Sequence, residues 1–284
     1  MKGEYSRIVE LNPLARCLPV RLMTVLSTLV LIVAWFPVLY AARVSLSDAA
    51  QAAVPHGWSF LPLQKALNDS AITASLLRSL GVALLASGLS LVFGGIVAVA
   101  ANLHGRRMLK ILMVLYLFPL ITPDVMIGLS LGHISTEIGV ELQWYHISIA
   151  HSVFGSSLVF YVVSAAYDRQ AKEVVEAAAA IGVVSIRHLK TVLYQLVGRA
   201  FFAGAIVSFV VSLDDFAVTY FLTPSGQTTF PVTMFSRLSK GLRPENFAAA
   251  FLFAFINMLL VVIVIRKFGL NAFGLKEKEH GATV

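Results

Sequence analysis

Asp124, Asp214 and Asp215 stand in stretches of sequence that are otherwise apolar. An Asp at the centre of a membrane helix costs roughly 2.5–3.5 kcal/mol on insertion scales. Three of them need compensation from a protein-lined cavity, a bound proton or a cation. Such acids suit a transient counter-charge for a cationic solute. The plainer reading is a carboxylate tied to a neighbouring helix. Ser212 and Thr219 stand close by in sequence, with hydroxyls free for either use or for their own helix carbonyls. A second group has a different character. Glu176-Ala177-Ala178, with Gly182 six residues after Glu176, lies in a charged segment between two long apolar runs. Small residues let a short helix lie close against another protein, and the Gly lets the chain turn. This is a docking element facing the cytoplasm, with no bond chemistry of its own.

The elements that must carry these residues follow from composition. The 284 residues are 58% hydrophobic and 13% charged, about half the charge of an average soluble domain. Mean hydropathy is +0.81. The chain reads as an all-α membrane protein. A bilayer core needs about 20 mostly apolar residues per helix. Six stretches qualify: 22–42, 74–101, 111–131, 147–167, 200–222 and 247–265. The second is long enough to tilt or to carry an interfacial turn. The first is too long for a signal-peptide core of roughly 7–15 residues. Ala41-Ala42-Arg43, the nearest cleavage-like site, follows a full span. It reads as a retained helix.

Net charge is +7, but the basic residues sit in short loops between apolar runs, so the pattern is positive-inside and not nucleic-acid binding. With both termini cytoplasmic, only Arg43, Lys65, Arg78, Arg237, Lys240 and Arg243 of the 22 Lys and Arg fall outside. The organisation is then a cytoplasmic tail (1–21), the first helix with a periplasmic segment (22–73), a core with five helices (74–265) and a second tail (266–284). The core contains a cytoplasmic segment, 168–199, that is rich in Ala and reads as short surface helices. Trp58, among Pro55, Gly57 and Pro62, reads as an interfacial anchor.

Depth relates two of the acids. Asp124 lies 14 residues beyond Lys110 and Asp214 lies 15 beyond Arg199. At about 1.5 Å per residue, both are roughly 21–23 Å above the inner surface and could converge. Neighbours on a helix differ by about 100°, so Asp214 and Asp215 cannot point the same way. Pro119 and Pro123 favour a kink just before Asp124. Gly81, Gly88, Gly94 and Gly95 suit close helix packing. His133, His146 and His151 read as interfacial residues with no role. Cys17 is the only thiol, and no zinc spacing, nucleotide phosphate loop or nucleophile elbow occurs. The sequence therefore predicts a non-enzyme with no cofactor of its own.

These residues resemble a known family. Glu176-Ala177-Ala178 with Gly182 is similar to the EAA signature of ABC-transporter import permeases. Ser212-Leu213-Asp214-Asp215-Phe216-Ala217-Val218-Thr219, then Phe221 and Pro231, resembles the spermidine/putrescine branch, second permease subunit. Gly241-Leu242-Arg243-Pro244-Glu245-Asn246 is similar too, and the likeness covers about residues 70–266. The resemblance implies a six-helix type I importer fold in the bacterial inner membrane. It implies a heterodimer with a second permease subunit, a dimeric cytoplasmic ATPase that uses the ATP, and a periplasmic substrate-binding protein. Glu176, Ala177, Ala178 and Gly182 would contact the ATPase. Asp124, Ser212, Asp214 and Asp215 would lie at or near a polyamine path. The chain departs from the pattern at Val192-Leu193-Tyr194-Gln195, where the family has Ile-x-Leu-Pro, so the approach to the fifth helix is expected to be smoother. The rival readings are an import permease for iron, thiamine, an opine or a phosphonate, a proton-coupled carrier using the same acids, and, more weakly, a membrane enzyme.

Overall fold

The computed structural model describes residues 20–48, 55–167 and 186–268. All regular structure in them is helical: α1 (Val20–Ser45), α2 (Leu61–Asn68), α3 (Ser70–Ser90), α4 (Ile96–His104), α5 (Arg106–Ile121), α6 (Asp124–Glu137), α7 (Trp144–Ala166), α8 (Ile186–Asp214), α9 (Ala217–Leu222), α10 (Phe230–Leu238) and α11 (Pro244–Phe268). Among the described residues, four helices are long and apolar enough to cross a bilayer: Leu22–Ser45, Ser70–His104, Trp144–Ala166 and Pro244–Ile263. The bent pair α5–α6 would add a fifth.

The chain divides into two compact units, residues 1–66 with 242–251, and residues 67–241 with 252–284. In the first, Tyr40 of α1 meets Phe247 edge-on at 6.4 Å. Arg43 donates to the Gly57 carbonyl at 2.9 Å and covers the Trp58 ring at 4.4 Å. Gly57 has φ +48°, a conformation that favours glycine. Trp58 thus has a cation partner on one face and is otherwise exposed.

The second unit is organised around α7. Of the best apolar window of this helix, 72% is buried, against none of that of α1. An apolar helix enclosed on most sides is a core element. One cluster joins Val82, Ile147, Ala150, Phe154, Val218 and Leu222. Another joins Ala98, Ala101, Val159, Phe160, Val163 and Ala200, with Tyr116 stacked on Phe160 at 4.4 Å. Small residues allow the helices this proximity. A Cβ on Gly94 would overlap the Ser156 backbone, and one on Gly155 would collide with the Ser90 and Ser208 hydroxyls. Those hydroxyls bond each other across α3 and α8 at 3.0 Å. Gly81 and Gly88 meet nothing of this chain within 4 Å, so within the chain the packing role expected of all four glycines of this span is seen at Gly94 and Gly95.

Three of the expected spans are not the straight rods that the apolar runs suggest, and one of them, 200–222, is interrupted between Asp214 and Ala217. Between α3 and α4 the chain makes a π-turn, Leu91–Gly95, and the Phe93 carbonyl accepts from the Tyr116 hydroxyl at 2.8 Å. The expected span 111–131 is two helices meeting at 86°. Thr122 is extended, and Pro123 then sets φ at −58° with no amide to donate. By contrast α8 is continuous from Ile186 to Asp214. No proline interrupts it at Tyr194-Gln195, and the smooth approach expected there is what the backbone shows. Segment 168–185, with Glu176, Ala177, Ala178 and Gly182, lies outside the described residues.

At the start of α3, Asp69 accepts from the Ala71 and Ile72 amides and pairs with Arg237 of α10 at 2.7 Å. The Arg237 guanidinium, with those amides, holds this carboxyl below the usual carboxylate range despite partial burial. Folding therefore favours the charged form, and its contribution is full above the ordinary carboxylate pKa and lost as pH falls below it. Asp69→Ala should cost about 1 kcal/mol near neutral pH, with the difference from the parent fading below about pH 4. Thermal unfolding of the solubilised protein against pH measures this. The same assay should find Gly94→Ala destabilised by about 1–3 kcal/mol through overpacking. Gly88→Ala should be neutral or slightly stabilised, because its site is open and glycine is the weaker helix former.

Candidate functional site

The site is a broken helix held against an unbroken one. α8 stops at Asp214, and α9 begins at Ala217. The carboxylate of Asp215 explains the interruption. Its Oδ2 accepts the Thr219 amide and the Thr219 hydroxyl, both at 2.9 Å. A side-chain oxygen here takes over an amide that a continuous helix would satisfy with main chain. The break is thus written in the residues Asp215 and Thr219 themselves.

His151 completes the arrangement from α7. Its Nε2 lies 3.1 Å from Asp215 Oδ2 and 3.1 Å from Thr219 Oγ1. Its Nδ1 lies 2.7 Å from Ser212 Oγ. The Thr219 proton is committed to Asp215, so Nε2 carries a hydrogen toward the carboxylate. His151 has no exposure, and the Asp215 side chain retains 8%. His151 is therefore no interfacial residue, as its position near the end of an apolar run suggests. It is the centre of a polar cluster enclosed between α7 and the break. One signal for it lies in the residues: hydroxyl and carboxylate groups at positions 212, 215 and 219 can be satisfied by one ring on a facing helix. His146 is also engaged, with its Nδ1 accepting the Gln143 amide at the start of α7.

Asp214 takes the other direction. It is exposed, while its neighbour is turned inward. The two side chains diverge as expected, but the helical spacing of about 100° is not the reason, because α8 ends at Asp214 and Asp215 lies in the break. Ser212 and Thr219 bond the facing ring and Asp215, where their own helix carbonyls were the commoner expectation.

Asp124 needs a correction. It is not in the middle of a helix, because the bend at Thr122–Pro123 makes it the first residue of α6. Straight-rod depth from Lys110 does not apply to it. A helix start favours a carboxylate, so the acid is partly compensated by its own backbone. It is exposed. The approach of α6 to α9 brings it near the break. A Cβ on Gly128 would meet Val218 Cα at 2.9 Å, and one on Gly132 would meet the Phe221 carbonyl at 3.0 Å. Two glycines four residues apart thus admit the α9 backbone. Asp124 is one turn before Gly128, and Asp215 is three residues before Val218. Asp124 accordingly lies within electrostatic reach of Asp215 and His151. Beyond the acids, Phe216, Tyr220 and Phe235 form a cluster with ring separations of 5.4, 4.8 and 6.1 Å.

Fold and site define a multi-pass permease with acids gathered at two helix breaks. Residues 90–272 match the family described as binding-protein-dependent transport system inner membrane component, and the chain belongs to that family. It is an inner-membrane permease of the ABC importer class. It is 28% identical to the putrescine transport system permease protein PotI of Escherichia coli (strain K12), over 75% of this chain and 79% of that one. It is 24% identical to the spermidine/putrescine transport system permease protein PotC of Haemophilus influenzae, over 73% and 80%. A putative 2-aminoethylphosphonate transport system permease protein, PhnV of Salmonella typhimurium, is 25% identical over 84% and 90%. The crystal structure of a bacterial ABC transporter involved in the import of the acidic polysaccharide alginate contains a chain of the same fold. It has a TM-score of 0.59 and 18% identity, covering 86% of this chain and 94% of that one.

The two adjacent acids should separate in a stability assay. Asp215→Ala strands the His151 ring and the Thr219 amide in a buried place, and a cost of about 1–3 kcal/mol is expected. Asp214→Ala should change stability by less than about 0.5 kcal/mol. Thermal unfolding of the solubilised protein reads both.

Proposed function

We propose that this chain is one permease half of an ATP-driven importer for polyamines of the putrescine and spermidine type. The observation that carries the reading is the pair of exposed acids, Asp124 and Asp214, brought from separate helices to the neighbourhood of one helix break. A polyamine has several ammonium groups, and each needs a counter-charge after leaving water. Weak, repeated contacts serve release better than one tight site. Asp124 and Asp214 supply such contacts, with Ser212 and Asp215 behind them as the frame. The relatives named for putrescine and spermidine support the same solute class.

The rest of the proposal concerns the assembly. Six helices cross the membrane, with both termini cytoplasmic. A second permease subunit completes the path, and a periplasmic binding protein delivers the solute. Glu176, Ala177, Ala178 and Gly182 dock a separate ATPase dimer, which binds the ATP. Its closure turns the permease pair outward and its release turns them inward. The aminoethylphosphonate relative supports a second reading, because that solute also carries an ammonium group but adds an anionic end.

Uptake into vesicles containing the full complex decides between them. Radiolabelled putrescine or spermidine should accumulate with ATP, and a hydrolysis-dead ATPase should abolish uptake even under a proton gradient. Asp214→Asn and Asp124→Asn should each lower uptake efficiency about tenfold with assembly retained. Selective uptake of 2-aminoethylphosphonate would replace the polyamine reading, and accumulation driven by the proton gradient alone would remove the ATP-driven one.

A further inference from the structure

We propose that His151 is a positioning residue, whose ring clasps both sides of the α8–α9 break and thereby sets the direction of Asp214. The inference deepens the reading of Asp214 as an acid of the solute path and rests on it for its consequence in transport.

The geometry is that of a clasp. Ser212 lies in the last turn of α8, Asp215 in the break and Thr219 in the first turns of α9. A single ring reaches all three, at 2.7, 3.1 and 3.1 Å. The ring sits on α7, the most enclosed of the described spans, with Phe154 at 5.2 Å beside it. The enclosed helix therefore grips both sides of the break. One tautomer satisfies every member: the Ser212 hydroxyl donates to Nδ1, and Nε2–H donates toward Asp215. Asp214 closes α8 between Ser212 and Asp215, so holding those two neighbours against the ring fixes the backbone from which Asp214 projects.

A purely space-filling role for position 151 makes a different prediction. An apolar ring of similar size would then serve as well. On the clasp reading, His151→Phe leaves Ser212 without its partner and leaves the Asp215 carboxylate tied to Thr219 alone and no longer to α7. Both acids then lose their fixed directions relative to α7. His151→Gln is the conservative variant, because its amide offers one acceptor and one donor at about the spacing of the ring nitrogens.

The test reads direction and transport separately. Asp214→Cys is made in a Cys17→Ser background, in membrane vesicles holding the full complex. Its reaction with a water-soluble cationic methanethiosulfonate is timed. His151→Phe should slow that reaction at least fivefold, and His151→Gln should stay within twofold of the parent. Ser212→Ala and Thr219→Val, which each open one arm of the clasp, should slow it in the same sense even where His151→Phe fails to accumulate. Unchanged reactivity in these variants overturns the proposal. In uptake, His151→Phe should raise the KM for putrescine about tenfold with little change in maximal rate. In the Asp214→Asn background it should add less than twofold. Full additivity there would also overturn it. Slowed labelling with normal putrescine uptake by Asp214→Asn would uphold the clasp and remove the path reading instead.

Discussion

A carboxylate placed among apolar helices must find donors or find water, and the Asp214-Asp215 pair does one of each. Asp215 is surrounded by the Thr219 amide, the Thr219 hydroxyl and the His151 ring. The Thr219 amide is a donor that a continuous helix could not spare, because its amides are already used. The break after α8 is therefore the condition for that bond. Once the break exists, Asp214 is left at a helix end and faces outward. The positions of α6 and α9 follow, because the short α9 needs Gly128 and Gly132 to lie against it.

The same logic recurs at Asp124, with different parts. There the helix is interrupted by Pro123, and the acid is relieved by the free amides of a helix start. Two interruptions, one made by proline and one by a carboxylate, thus place acids at helix ends and not at helix centres. Membrane helices tolerate such irregular backbone where protein or a cavity surrounds it. The cost of a charge in a straight apolar helix is largely avoided by not having a straight helix.

Much of this was legible in the residues. Apolar runs located the long helices, and Pro119 and Pro123 announced the bend before Asp124. The divergence of Asp214 from Asp215 was legible from their adjacency, although the break after α8, and not a helical turn, produces it. The missing proline at Tyr194-Gln195 foretold an unbroken α8. What escaped was long-range. Nothing near His151 in sequence reveals that residues 212–219 come to meet it across 61 to 68 positions. Nor does an apolar run by itself show that α7 is enclosed while α1 is not, since both are long and apolar enough to span. Gly81 and Gly88 look like Gly94 and Gly95 by type, and only the neighbours show that this chain packs against the second pair and not the first. The depth estimate for Asp124 failed because it assumed a rod where the chain turns.

The continuity of α8 has a mechanical consequence. A helix of 29 residues is a rod about 40 Å long. With no proline to absorb a bend, tilting it at the Ile186 end moves the Asp214 end as one body. A tilt of about 5° displaces the far end of such a rod by ~3–4 Å. That exceeds the 2.7 Å separating Ser212 from the His151 ring. The lever is long enough that a small rotation at one end is a broken hydrogen bond at the other.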